Sequence, residues 1–223
     1  MIKFIFKWAL RLFILAIVLV VIFLLSLDSI IRLTVEHNLR AQTGMDAEIG
    51  RFHLGLTEPV VEIKDLRLFN PPQFGGTPLM NIPEIHVEYD RAALAKNQIH
   101  ITLLRFNLGE LDIVKNESGQ TNLFALGMNV PAKKDVAQGH AFNQIKTQGG
   151  LTFKGIDVLN VSVGTAKYID LSDPKNNREQ KFDIDNLVIK NVQQPADLAG
   201  LIVLVGLRGG DFFGPLVAPP DWQ

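Results

Sequence analysis

The sequence predicts a mainly β protein in which an N-terminal transmembrane helix is followed by a curved, mostly antiparallel β-sheet. Three observations predict it. An apolar run from Leu12 to Leu27, broken only by Ser26, sits behind Lys3, Lys7 and Arg11. From residue 47 onward apolar and polar side chains alternate in segment after segment, the period of a sheet with one wet and one dry face. Within several segments the alternation skips a position, which a flat strand cannot absorb without turning its dry side to water.

Counted from Trp8, the apolar run reaches the roughly 20 residues that a helix needs to cross about 30 Å of hydrocarbon, with Arg11 near enough to one end to snorkel. A cleavable signal peptide begins in the same basic way. This run is longer than a usual signal core, however, and passes into Ser26, Leu27, Asp28, Ser29 and Ile30 without a small-x-small cleavage site. With no cysteine in the chain, lipoprotein modification is excluded as well. Residues 1–28 therefore read as an uncleaved signal anchor, and 29–43 as a short juxtamembrane helix with Gly44 as its C-terminal stop. Three positive charges precede the run, against a mixed set of Asp28, Arg32, Glu36 and Arg40 after it. That asymmetry keeps the N-terminus in the cytoplasm and puts everything from about residue 30 outside it.

About 190 residues follow the anchor, enough for one domain with a real core. The 22 basic and 23 acidic residues nearly cancel, to a net charge of -1, so the chain has no electrostatic footprint for nucleic acid. Absence of cysteine also removes disulfides, thiol chemistry and the commonest structural zinc sites.

Strands are expected at 47–56 and 60–69, joined through Thr57, Glu58 and Pro59, then at 83–89, 98–108 and 110–115. The loop between the second and third holds Asn70, Pro71, Pro72, Gly75 and Gly76, which no central strand tolerates. RAALAKN (91–97) makes one helical turn, and Ser118, Gly119 and Gln120 turn the chain, so 44–126 forms a first β segment. Residues 127–150, rich in Gly and poor in large apolar groups, read as a flexible linker or loop. A second β segment, 151–194, holds a long or broken strand pair at 151–171 with Gly164 at the break, a polar loop at 173–177 and a returning strand at 181–192. About eight strands result.

The skipped alternation occurs at Ala47, Ile49, Phe52 and Leu54; at Val61, Ile63, Leu66 and Leu68; and at Ile99, Ile101, Leu104 and Phe106. It recurs at Ile156, Val158, Val161 and Val163, and at Phe182, Ile184, Leu187 and Ile189. Composition alone supplies some such matches, but VEIKDLRLFN (61–70) and FDIDNLVIKN (182–191) also share Leu and Asn at the same places, as a structural repeat would. These phases, with Ile85 and Val87 of the third strand, mark the expected dry face.

Chemistry is sparse. His37, His53, His86, His100 and His140 fall in polar phases or loops and none pairs at a ligand spacing, although His86 and His100 sit on neighbouring expected strands. Ser162 lacks the first Gly of a nucleophile elbow and has no helix behind it. Asp183 with Asp185, and Asp170 with Asp173, read as solvated faces. No phosphate loop or dinucleotide fingerprint is present, so no enzyme, cofactor or metal is expected. The apolar stretch in 195–223, at 198–207 (LAGLIVLVGL), is too short to span a bilayer and reads as a final buried strand or helix, a cap on the sheet's end, or a segment in a membrane interface with Phe212, Phe213 and Trp222 as anchors.

The order of these pieces resembles the AsmA family. The anchor, Thr43–Gly44, FHLGL (52–56), IKDLRLFNPPQF (63–74), IPEIHVEYD (82–90), IHITLLRFN (99–107) and DIVKNESGQTNL (112–123) follow one another as in the N-terminal region of those bacterial envelope proteins. The resemblance covers residues 1–126, and more loosely 161–171 and 181–192. It implies an AsmA-like β-groove, dry inside and wet outside, anchored in the bacterial inner membrane with its body in the periplasm. Its implied role is binding or transfer of phospholipid in support of outer-membrane and cell-envelope assembly. No residue is carried over from the family; the apolar phases named above give the expected lining, Ile49, Phe52, Leu54, Val61, Ile63, Leu66 and Leu68 from the first two strands, and Ile85, Val87, Ile99, Ile101, Leu104 and Phe106 from the next. Val161, Val163, Phe182, Ile184, Leu187 and Ile189 complete it from the second segment. Enclosing an acyl chain of about 16 carbons in such a trough recovers on the order of 10 kcal/mol. Longer family members carry many more strands, whereas eight make a trough near 40 Å, which fits a short lipid-handling module, a piece of a larger assembly or a fragment. The alternative is an anchored structural or adaptor domain whose strands close on a solid core, or a subunit of an envelope or secretion complex whose partner pairs with exposed sheet edges.

Overall fold

A computed structural model describes residues 28–38, 40, 45–55, 57–125 and 151–213. The apolar run at 12–27, the expected linker at 127–150 and residues 214–223 lie outside them. Among the described residues no helix is long and apolar enough to cross a membrane.

Six strands form one sheet in sequence order: β1 (Ala47–Leu54), β2 (Val60–Phe69), β3 (Pro78–Tyr89), β4 (Gln98–Lys115), β5 (Thr152–Asp170) and β6 (Arg178–Val192). All neighbours are antiparallel except β4 and β5, which run parallel over their whole length from Gln98↔Thr152 to Lys115↔Asp170. The sheet is therefore mixed. A parallel pair needs a crossover of a dozen or more residues, and 116–151 provides it. Among the described residues four helical segments attend the sheet: α1 over 28–38, α2 (Arg91–Leu94), α3 (Asn122–Ala125) and α4 (Ala199–Gly209). Asp90 caps α2 by accepting the N–H groups of Ala92 and Ala93 at 2.7 and 3.2 Å, which holds the β3–β4 turn.

Six strands replace the expected eight because two glycines that look like breaks are not. Gly109 lies inside the 18 residues of β4 and Gly164 inside the 19 of β5. They face each other across the parallel pair so closely that a Cβ on Gly164 would stand 2.4 Å from the Gly109 carbonyl oxygen. Here glycine serves close backbone approach. The expected width of about 40 Å shortens to about 29 Å of sheet at some 4.8 Å per strand.

The skipped alternation is real, and the chain absorbs it in two ways. Across the skip in β1, β2 and β3 the register continues unbroken, with Ile49, Leu66 and Ile82 aligned on one side of the slip and Phe52, Ile63 and Ile85 on the other. Each strand simply places two residues in succession between those rows. Asp65 takes φ 54° there, and Gly50 opposite it leaves room, since a Cβ would meet that of Asp65 at 2.8 Å. In β6 the slips are bulges: Val161↔Leu187, Val163↔Ile184 and Thr165↔Lys181 advance β6 by one extra residue twice. Asn186 and Asp183, at φ 49° and 48°, occupy them. Every described non-glycine residue at positive φ is Asp or Asn, the residues that bear this conformation at least cost.

In β5 the sequence phase needs correcting. Ile156 packs with Leu159 and Val161, both buried, rather than with Val158, so the slip falls two residues earlier than expected. The C-terminal stretch is a helix, α4, and 3-10 turns flank it on both sides.

Candidate functional site

The dry face of the sheet is the most distinctive surface. Two helices roof its flanks. Ile31 and Val35 of α1 pack against the cluster of Ile49, Phe52, Leu66 and Ile82, to which Leu54, Val61, Ile63, Leu68 and Ile85 also belong. Leu201, Leu204 and Val205 of α4 pack against Phe182, Ile184, Tyr168 and Ile113, with Val163 and Leu187 at the margin. Phe212, just beyond α4, meets Phe182 edge-on at 6.4 Å between ring centres. Leu201 also reaches Leu159 and Val161, beside Ile189 and Leu104.

Between the roofs the face is less covered. Val61, Ile63, Ile85, Val87, Ile99, Ile101, Leu104 and Phe106 are all only half-buried, although β3 and β4 are the central strands of the sheet. Central strands of a one-layer core are ordinarily its driest part. At the α2 end this strip opens into an apolar cavity of about 350 Å³ lined by Val61, Val87, Tyr89, Leu94, Ile99 and Ile101, with Asp90, Gln98 and His100 at the rim. That is at the small end for a ligand pocket. The nineteen expected lining residues thus divide: Ile49, Phe52, Leu66, Val161, Phe182 and Ile184 are buried, and the other thirteen are half-buried.

Polar chemistry gathers on the opposite face. His86 lies across from Glu62 in the β2–β3 register, and with Glu84 the three bring ligand atoms within 4.8 Å of one another. His86 Nε2 also meets Glu88 Oε1 at 3.2 Å, and Lys64 pairs with Glu62 at 3.1 Å. Burial pushes the Glu62 carboxyl up, but Lys64 and the neighbouring histidines outweigh it and leave the group below the usual range. His86 and His100 lie on neighbouring strands without meeting, since His86 pairs with Arg105 in the register. His100 is held instead between Asp157, 2.9 Å from Nε2, and Asp90, 3.6 Å from Nδ1. The Asp157 hydrogen bond raises its pKa against the opposing effect of burial. A second, polar cavity of about 280 Å³ opens there, with Lys96 and Lys154 on its wall. An imidazole clamped by two carboxylates has no nucleophile to serve among the described residues, and reads as a staple between β4, β5 and the β3–β4 turn.

Sequence reasoning missed three features. Asn122, 1% exposed, donates to Asn70 Oδ1 and to the Asp112 carbonyl at 2.8 Å each, and accepts the Val114 N–H at 3.0 Å. Asp112 itself is buried on the wet side, its Oδ1 without a hydrogen-bond partner among the described residues. Burial first, then Glu110, pushes its pKa up to about 6 against the pull of Lys167. Third, α1 closes the outer edge of β1. Asp28 accepts the Leu54 N–H at 3.1 Å, Glu36 accepts the Ile49 N–H at 2.8 Å, and Arg32 donates to the Ile49 carbonyl at 3.4 Å. The spacing i, i+4, i+8 aligns three charges on one helix face, a signal readable in the sequence once the neighbouring strand edge is in view.

These features define a class: a single six-stranded mixed sheet with a partly roofed apolar face and no catalytic constellation among the described residues. No family profile matches the chain, and neither a characterised protein nor a solved structure is significantly similar to it.

Proposed function

We propose that this chain is an AsmA-like, membrane-anchored protein that binds phospholipid acyl chains along the uncovered strip of its sheet. In this reading it sits in the bacterial inner membrane with its body in the periplasm, supports cell-envelope assembly and is not an enzyme. The supporting observation is the half-buried state of Val87, Ile101, Leu104 and Phe106 on central strands. An acyl chain laid on them removes that surface from water at about 0.8 kcal/mol per CH₂. Six strands make too short a trough to cross a periplasm alone, so the chain hands lipid on or works beside others.

The test is native mass spectrometry of the full chain released from mild detergent, on wild type and on Val87→Asp and Leu104→Asp. Phospholipid that accompanies the wild type and leaves both variants, with their melting little changed, is the expected result. Unfolding of both variants with no lipid in the wild type points to the second reading, an anchored structural or adaptor domain. One observation favours that reading: α1 and α4 already cover the two flanks of the dry face with protein.

A further inference from the structure

Helix α4 is apolar on all sides. Its eleven residues, AGLIVLVGLRG, contain one charge, Arg208, and that guanidinium turns back to the carbonyls of Phe182 and Asp183 on β6. Leu201, Leu204 and Val205 face the sheet. The outward side carries Ala199, Gly200, Ile202, Val203, Gly206 and Leu207, and leaves Val203 59% and Leu207 77% exposed. A helix on the surface of a water-soluble domain puts charges on this side. A contiguous apolar patch with none marks an interaction site.

We infer that this outward side of α4 lies in the surface of a lipid bilayer. Three observations select lipid over protein. The same chain holds an apolar run that, counted from Trp8 to Leu27, has the length and flanking charge of a segment that enters a membrane, and the described part of α1 follows it directly from Asp28. Helix α1 roofs the same face of the sheet as α4 and likewise exposes apolar side chains, Ile30 at 48% and Leu33 at 59%. Finally, a tight helix–helix contact wants small residues four apart on one side, whereas Gly200 and Gly206, six apart, fall about 120° apart around the axis at 3.6 residues per turn. A helix with one side on protein and the other in the acyl boundary has no use for a polar side, which accounts for its composition. The inference does not depend on lipid occupying the groove.

The wild-type chain tests it directly. Reconstitute the full protein into vesicles of phosphatidylethanolamine and phosphatidylglycerol doped with a phospholipid bearing a photoactivatable diazirine in its acyl chain, irradiate, digest with trypsin and sequence the adducts. Adducts on Ile202, Val203 and Leu207, within the tryptic peptide 191–208, are the expected result. Adducts confined to Leu201, Leu204 and Val205 overturn the inference while leaving the groove reading intact, and an unmodified peptide overturns it outright. A second measurement uses the absence of native cysteine. A fluorophore at Val203→Cys or Leu207→Cys should be quenched several-fold more by nitroxide lipid than one at Asp157→Cys on the wet face. Equal quenching of all three by aqueous iodide, or protection of the helix from both quenchers, as a second copy or another protein would give, overturns it.

Discussion

Replacing Asp112 by Asn should make the protein more stable at neutral pH and flatten its stability between about pH 4 and pH 6. Burial and Glu110 carry the carboxyl from an ordinary 3.8 to about 6 in the folded chain. Between those values the native state holds a proton that the unfolded state has lost. Stability contributed at this site is therefore fully present below about pH 4, falls as pH rises, and is gone above about pH 6. At about 1.36 kcal/mol per pH unit the whole effect approaches 3 kcal/mol, an upper figure because solvent screens a carboxyl that is only partly enclosed. Asn cannot ionise, and its amide keeps the volume. Urea titrations of the full chain in non-ionic micelles, followed by far-ultraviolet circular dichroism from about pH 3.5 to about 7.5, give both curves. Wild type should lose stability relative to Asp112→Asn as pH rises, the two converging at the acid end. Parallel curves would refute the reasoning, because they would mean that Asp112 ionises as readily folded as unfolded.

Four further outcomes follow from contacts already described. Asn122→Ala strips three hydrogen bonds from a fully buried site and leaves Asn70 and the Val114 N–H without that partner, a loss of about 3 kcal/mol by chemical denaturation. Gly164→Ala forces β4 and β5 apart at Gly109 and should cost at least about 2 kcal/mol, whereas Gly200→Ala, which meets nothing within 4 Å, should be neutral or slightly stabilising in the same assay. Glu36→Ala uncovers the Ile49 N–H and should cost about 1 kcal/mol, with faster hydrogen exchange at Ile49 as its local signature. The His100 pair has the same pH sense as Asp112 but acts at higher pH: with the folded pKa raised, its contribution is present below pH 6.5 and is lost as pH climbs through the folded value. His100→Gln should remove that limb of the stability curve, and an unchanged limb would show the ion pairs to be idle.

Much of the sheet was legible because period two survives local disturbance. The skips at Gly50–Arg51, Lys64–Asp65 and Asp185–Asn186 can be read off the chain, and each coincides with a left-handed residue or its glycine partner. What periodicity cannot tell is whether a glycine ends a strand or admits a neighbour. Gly109 and Gly164 look the same either way, and they divided β4 and β5 on paper. The parallel pairing was invisible for a related reason: alternation records which face is dry and says nothing of strand direction. The helix at 199–209 could not be separated from a strand, since an apolar run of ten residues with no polar punctuation has no phase. The buried polar centre at Asn70, Asp112 and Asn122 was hidden because its members lie 42 and 10 residues apart and owe their partnership to the turn after β4.

The bonds from Asp28, Arg32 and Glu36 to β1 make the sheet a capped ladder, terminated at one rail. A strand from another molecule finds the Ile49 and Leu54 rungs already taken there, and at the other rail Arg208 holds the Phe182 and Asp183 carbonyls of β6. Head-to-tail polymerisation needs two accessible rails, and among the described residues the β1 rail is obstructed at both ends of the strand. Strand exchange between copies is then easier β6 to β6, an arrangement that consumes both such rails at once and stops at a pair.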